Sequence, residues 1–152
     1  MKPSSINPDV ELRDFLQGKI SVGLPGGEMQ EVAVYGDWER PTNEVPDDFV
    51  VIMMNGNVSG LGMNIDYADG HVIVSLYSKL NNDGSVKKNR VKNILSQFDE
   101  LGENRNTQNY FFKYEIQPFI TPTTPNITSG YSITSLNLRW NTNSNFNKPV
   151  TP

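Results

Sequence analysis

Three rhythms of apolar residues run along the chain, and each predicts a kind of element. The sharpest lies at 91–101, where Val91, Ile94, Leu95, Phe98 and Leu101 recur at steps of three and four. That spacing puts them on one face of a helix, which Gly102 would end. A shorter stripe of Leu12, Phe15 and Leu16 follows Asn7-Pro8-Asp9. These suit a helix start, with Asn7 as N-cap, proline in the first turn and a carboxylate at the positive end. Gly18 is the expected terminator.

Alternation predicts strands. EVAVYGDWE reads as a strand through Val32, Val34 and Tyr35, after GLPGGEM (23–29), a turn-rich loop. HVIVSLYSKL sets Val72, Val74, Leu76 and Leu80 on one face. NYFFKYEIQPF sets Tyr110, Phe112, Tyr114 and Ile116 against Phe111, Lys113, Glu115 and Gln117. YSITSLNLRW aligns Leu136, Leu138 and Trp140 with Ile133 out of phase, which predicts a bulge. The stretch between these two, ITPTTPNITSG, is too long and proline-rich for a tight hairpin.

The third rhythm is continuous. FVVIMM (49–54) is apolar at every position, so both its faces should be covered and it belongs at the sheet centre. The prolines of ERPTNEVPDD before it exclude a central strand there. The resulting order is helix, three strands, helix, two strands. It predicts an α+β domain over 1–140, an antiparallel or mixed sheet of about five strands with two helices packed on one face.

Two segments stand outside these rhythms. NGNVSGLGMNIDYADG (55–70) is glycine-rich yet carries Val58, Leu61, Met63 and Ile65. A solvated loop has no use for such side chains, so it folds back on the domain or reaches a neighbouring chain. The end, 141–152, is rich in Asn and Pro and reads either as a flexible tail or as an arm ordered by a partner through Phe146.

Composition narrows the picture. The 152 residues include no cysteine, so disulfides, thiolate metal sites and a cysteine nucleophile are excluded. The net charge of -4 argues against sustained wrapping by nucleic acid. The N-terminus lacks the apolar core of a signal peptide, and no apolar run approaches the roughly 20 residues of a membrane helix. The expectation is a chain without membrane association, made and used inside a cell.

Candidate chemistry is thin. The turn at Asp83-Gly84-Ser85 precedes Lys87 and Lys88, but a phosphate-cradling loop needs two glycines with Lys and Ser/Thr directly after the second. Lys87, Lys88, Arg90 and Lys92 crowd the start of the second helix, with Asp99, Glu100 and Glu103 at its end, opposite to what the helix dipole favours. That reads as a solvated face or as a basic patch for docking an acidic partner. His71, the one histidine, has no nucleophile-elbow sequence near it. Asn64, Asp66 and Asp69 form a turn signal without the ligand spacing of a calcium loop. Tyr110, Phe111, Phe112 and Tyr114 lack the glycines and interleaved basic residues of an RNA-stacking sheet. No catalytic residue, cofactor site or metal site is expected.

Taken together, the helix opened by NPDVELRDFL, the passage into PDDFVVIMM, HVIVSLYSKL with its NNDGS turn, VKKNRVKNILSQFDELG, and the closing strands YFFKYEIQPF and YSITSLNLRW resemble the tail-terminator and tail-completion (head–tail joining, neck) proteins of tailed bacteriophages. The resemblance covers roughly 7–140 in element order and size, without a signature motif; the 55–70 loop and the tail depart from it. It implies a non-enzymatic virion protein, assembled in the host cytoplasm as a homo-oligomeric ring, often hexameric. The ring caps the tail tube, meets the tube protein and the head connector proteins, and lets genomic DNA pass through its lumen. Under it, Val58, Leu61, Met63, Ile65 and Phe146 become expected subunit-interface residues, and Lys87, Lys88, Arg90 and Lys92 expected docking residues. The alternative is a small monomeric α+β binding or accessory module of unknown ligand.

Overall fold

The computed structural model describes residues 7–24, 26–36, 46–59, 68–100, 104–107, 109–114, 124–126 and 130–142. Helix α1 (Pro8–Leu16) leads into a small hairpin, β1 (Ser21–Gly23) and β2 (Met29–Glu31). The main sheet begins with β3 (Ala33–Gly36), β4 (Asp48–Ser59) and β5 (Asp69–Lys79). Helix α2 (Lys88–Glu100) follows, then β6 (Asn104–Asn106), β7 (Tyr110–Tyr114), β8 (Thr124–Asn126) and β9 (Tyr131–Thr142).

The sheet order is β3-β4-β5-β9-β7-β6, with β8 also paired to β9. The β3–β4 pair is parallel and the others are antiparallel, so the sheet is mixed and the fold is α+β. Five strands make its body; β6 and β8 are three-residue additions at its margins.

Period two decides which side chains meet the helices. Val34, Val50, Ile52, Val72, Val74, Leu136, Tyr110, Phe112 and Trp140 share one face and form one core with Leu12 and Leu16 of α1 and Val91, Ile94 and Phe98 of α2. Both helices therefore cover the same face. Val51 and Phe49 on the opposite face are also buried, which is why FVVIMM is apolar throughout. At the far end of the core Trp140 stands directly across from Gly70, and its indole lies over the glycine. A Cβ on Gly70 would sit 2.9 Å from Trp140 Cζ2. The position is a glycine because the ring occupies the space a side chain would need.

The sequence expectations change in four places. Asn7 does not cap α1 with its side chain; its N–H donates to the Tyr110 hydroxyl (2.9 Å), and that hydroxyl lies 3.3 Å from Asn7 Oδ1. GLPGGEM is the turn of a hairpin whose strands are too short and exposed to show alternation. The 55–70 segment is in part strand: β4 runs on to Ser59 and β5 starts at Asp69, with a register shift between Asn55 and Ser59. Finally, β9 pairs with β5 without interruption from Tyr131 to Asn141, so it has no bulge there. Ile133 simply alternates onto the second face opposite Tyr77; the expectation failed because it allowed the strand only one apolar face.

Candidate functional site

Three places gather polar side chains, and the first is the entrance to α2. The turn before it closes on itself. Asn81 N–H donates to Ser85 O and Gly84 N–H to Asn81 O, both at 2.9 Å, with Gly84 at φ 84°, a left-handed conformation that glycine accepts without strain. Asp83 Oδ1 accepts from Ser85 N–H at 2.9 Å and from Ser85 Oγ at 2.6 Å, which holds the Asp83 carboxyl below its ordinary pKa. The N–H groups of Gly84 and Ser85 that could have met a phosphate are thus bonded within the turn.

Of the four cations behind this turn, Lys88 and Lys92 are exposed and Lys87 is half-buried. Lys87 borders a shallow polar hollow with Asp47, Lys79, Leu80, Asn81 and Asn82. Arg90 turns inward. Its Nε donates to Asp48 Oδ2 at 2.8 Å, while Ser78 Oγ donates to Asp48 Oδ1 at 2.7 Å. The two charged side chains are only 18% and 2% exposed. This buried pair ties the first turn of α2 to the end of the sheet, which explains a cation where the dipole disfavours one.

The second place is the clasp between α1 and the approach to β7. Glu11 Oε1 accepts from Thr107 Oγ1 (2.8 Å) and Asn109 N–H (3.0 Å), and Oε2 accepts from Asn109 Nδ2 (2.7 Å). Tyr110, fully buried, has its phenol pushed up to about 12, first by burial and then by the nearby Glu11 and Asp9, against a lowering from the Asn7 N–H. Glu11 and Asp14 do line one open hollow with Phe15 and Thr107. Both carboxylates are engaged, Glu11 as above and Asp14 with Arg13 at 3.0 Å, so the cluster acts as a fastening.

The third place is the sheet face that the helices leave uncovered. Phe49 centres an aromatic cluster there: stacked on Tyr77 (4.8 Å, 3° between planes), with Tyr35 and Tyr131 edge-on at 6.0 and 5.6 Å. Ser75 and Ser135 share a hydrogen bond of 2.9 Å beside it, and Met53, Ile73 and Ile133 are half-buried around it. Toward the other end of the strands, register places Lys113 of β7 opposite Arg139 of β9, which stands opposite His71 of β5. Arg139 reaches Asp69 only at 3.8 Å and stays 44% exposed.

The structure therefore gathers residues that the sequence held apart. His71 lies in a cross-strand row with two cations, and Lys113 and Arg139 were overlooked because only register reveals them as neighbours. Their one legible signal was parity: each alternates with buried positions and so faces away from the core. Among the expected interface residues, Val58 lies on β4; Leu61, Met63, Ile65 and Phe146 fall outside the described residues. Asn64 and Asp66 do so too, and Asp69 faces Arg139. Among the described residues no group of three or more His, Asp or Glu could hold a metal ion, and no helix is long and apolar enough to cross a membrane. Comparison with known proteins finds no matching family model, no matching curated protein and no matching solved structure.

Proposed function

We propose that the chain is a structural, non-enzymatic virion subunit of a tailed-phage neck or tail: a ring-forming tail terminator or head–tail joining protein that caps the tail tube and lets DNA pass. One observation carries this reading. Among the described residues the helices cover one face of the sheet, and the second face carries aromatic, aliphatic and cationic side chains in register, with Phe49 and Val51 buried among them. A subunit that builds its core on one side and meets other proteins on the other is divided in this way. The α+β body and its two helices also agree with the element order on which the resemblance rests.

The test is mass in solution with electron microscopy of the purified protein. Rings, or concentration-dependent association that a purified tube protein strengthens, support the reading. A monomer at every concentration, with no binding to tube protein, overturns it and leaves the small binding module, for which the hollow beside Glu11 and Asp14 is the structural argument.

A further inference from the structure

The β1–β2 hairpin has two edges, and the fold treats them differently. On the β1 side Gln97 of α2 accepts from Ser21 N–H at 2.9 Å and donates to Ser21 O at 2.6 Å, so one side chain does what a neighbouring strand would do. The β2 side has no such cover. The bonds Val32 N–H to Ile20 O (2.8 Å) and Leu24 N–H to Glu28 O (2.7 Å) set the phase of the ladder. In that phase Ser21 opposite Glu31 and Gly23 opposite Met29 are the pairs whose N–H and C=O groups point outward. Ser21 meets Gln97, whereas β2 has no strand partner but β1 among the described residues. Pairing to β4 begins only at Ala33, opposite Phe49, and Pro46 before β4 has no N–H with which to continue it along β2.

The open edge carries a side-chain pattern. Met29 and Glu31 share one face of β2, and both are exposed. Met29, at 64%, is the one large exposed hydrophobic side chain among the described residues, and Gly23 across from it has no side chain with which to cover it. An extended edge with an exposed apolar side chain is a template for another strand. The chain itself supplies a segment of matching pattern. Residues 143–152, NSNFNKPVTP, lie outside the described residues and enter by sequence alone. They contain no acidic residue, so their one lysine leaves them opposite in charge to β2. Phe146 and Lys148, two positions apart, share one side of an extended backbone just as Met29 and Glu31 do. Pro149 ends any pairing directly after Lys148.

We propose that residues 143–148 of one copy add as a strand to the free edge of β2 in the next, with Phe146 beside Met29 and Lys148 beside Glu31. The inference rests on the ring reading and names the contact that joins successive subunits. Reach excludes the same contact within one copy. Ala33 is level with Phe49, Tyr77 and Ile133 across the sheet, and β2 precedes Ala33 on the side away from Thr142. Thr142, where β9 ends, is nine residues beyond Ile133, about 30 Å at the rise of a strand. Phe146 is only four residues past Thr142, so it stays within about 14 Å of it. The tail of one copy and its own β2 therefore belong to opposite ends of the sheet. A contact between different patches on successive copies is heterologous, and it generates a ring when its rotation closes.

Sedimentation of variants tests this. Deleting residues 143–152, or introducing Glu31→Pro, should each weaken self-association at least tenfold, with circular dichroism and melting unchanged. Proline at 31 removes only an outward N–H, so the β1–β2 ladder stays whole. Glu31→Lys should weaken association as well, and Glu31→Lys/Lys148→Glu should recover most of the loss. On the full wild-type chain, an excess of a synthetic peptide of residues 143–152 should dissociate the assembly, and the same peptide carrying Phe146→Ala should not. If Glu31→Pro fails to fold, the charge swap and the peptide decide. If the wild type forms rings and the truncated or Glu31→Pro chain forms them equally well, or the swap stays dissociated and the peptide has no effect, this contact is refuted while the ring reading stands. A wild type that never associates removes both.

Discussion

The two faces of the sheet are made by the same strands, yet they follow different rules. On the helix-covered face Val50, Ile52, Val72, Val74 and Leu136 are aliphatic, nearly inaccessible and closed over by α1 and α2. Shape decides identity there, to the point that Trp140 leaves Gly70 no room for a Cβ. On the other face, tyrosines surround one buried phenylalanine, serines bond across strands, and cations stand in register. Surface chemistry decides identity there. The difference teaches that packing dominates one side of the strands and cross-strand polar and aromatic pairing the other; if the second side is the docking surface proposed above, substitutions should separate stability from association.

The largest expected effect comes from Trp140→Ala. The ring is fully buried, packs edge-on to Tyr110 at 5.5 Å and covers Gly70. Its loss removes apolar contact and leaves a cavity, costing about 3–5 kcal/mol, read as the shift of a urea unfolding midpoint. A loss below 1 kcal/mol would mean that the covered face does not carry the fold. Next stands Asp48→Ala, which strands Arg90 and the Ser78 hydroxyl at a site with little water. Removing one partner of a buried pair costs roughly 3 kcal/mol; the double change Asp48→Ala/Arg90→Met should regain much of it, which a double-mutant cycle would measure.

How much of this was legible in the sequence follows from the same contrast. Helix-facing positions announce themselves by period, so α2 and the core residues of β5, β7 and β9 were readable from spacing alone. The opposite face was not, because its chemistry lies across strands. Lys113 and Arg139 are far apart in the chain and meet only through the register of β7 on β9. The hairpin was missed for another reason: three-residue strands carry too few positions to display alternation, and Gln97, which fastens β1, sits on a helix distant in sequence. Arg90 was readable as a cation in an unfavourable place, but its partner Asp48 lies at the start of β4, beyond any local pattern.

Tyr110 offers a pH-dependent probe of the covered face. An unfolded tyrosine ionises near pH 10, whereas the buried phenol holds its proton up to about 12. A raised folded value means the contribution is intact below pH 10 and is lost as the pH climbs toward 12, by about 2–3 kcal/mol at most. Tyr110→Phe gives up the Asn7 contact but should flatten that alkaline limb, seen by comparing urea midpoints at pH 9 and pH 11.5. An identical slope in both proteins would contradict the burial argument. Slightly smaller, about 1–3 kcal/mol, is the expected loss from Gly70→Ala. Trp140 is fully buried and cannot swing away from the new methyl group, and Gly70→Ala/Trp140→Leu should recover part of the loss.

The smallest effect is the one that sharpens the contrast most. Lys113→Gln removes a cation from the uncovered face, where no described residue pairs with it and Arg139 stands directly opposite. If that face contributes little to folding, the unfolding midpoint should move by less than about 0.5 kcal/mol. The sign is informative as well. Relief of repulsion should make the variant marginally more stable at low ionic strength, and the gain should vanish near 1 M salt, where screening acts within a few ångströms. A loss of stability that persists at high salt would instead mean that the Lys113 stem packs as part of the fold, and the division of labour between the two faces would then fail at the residue chosen to display it.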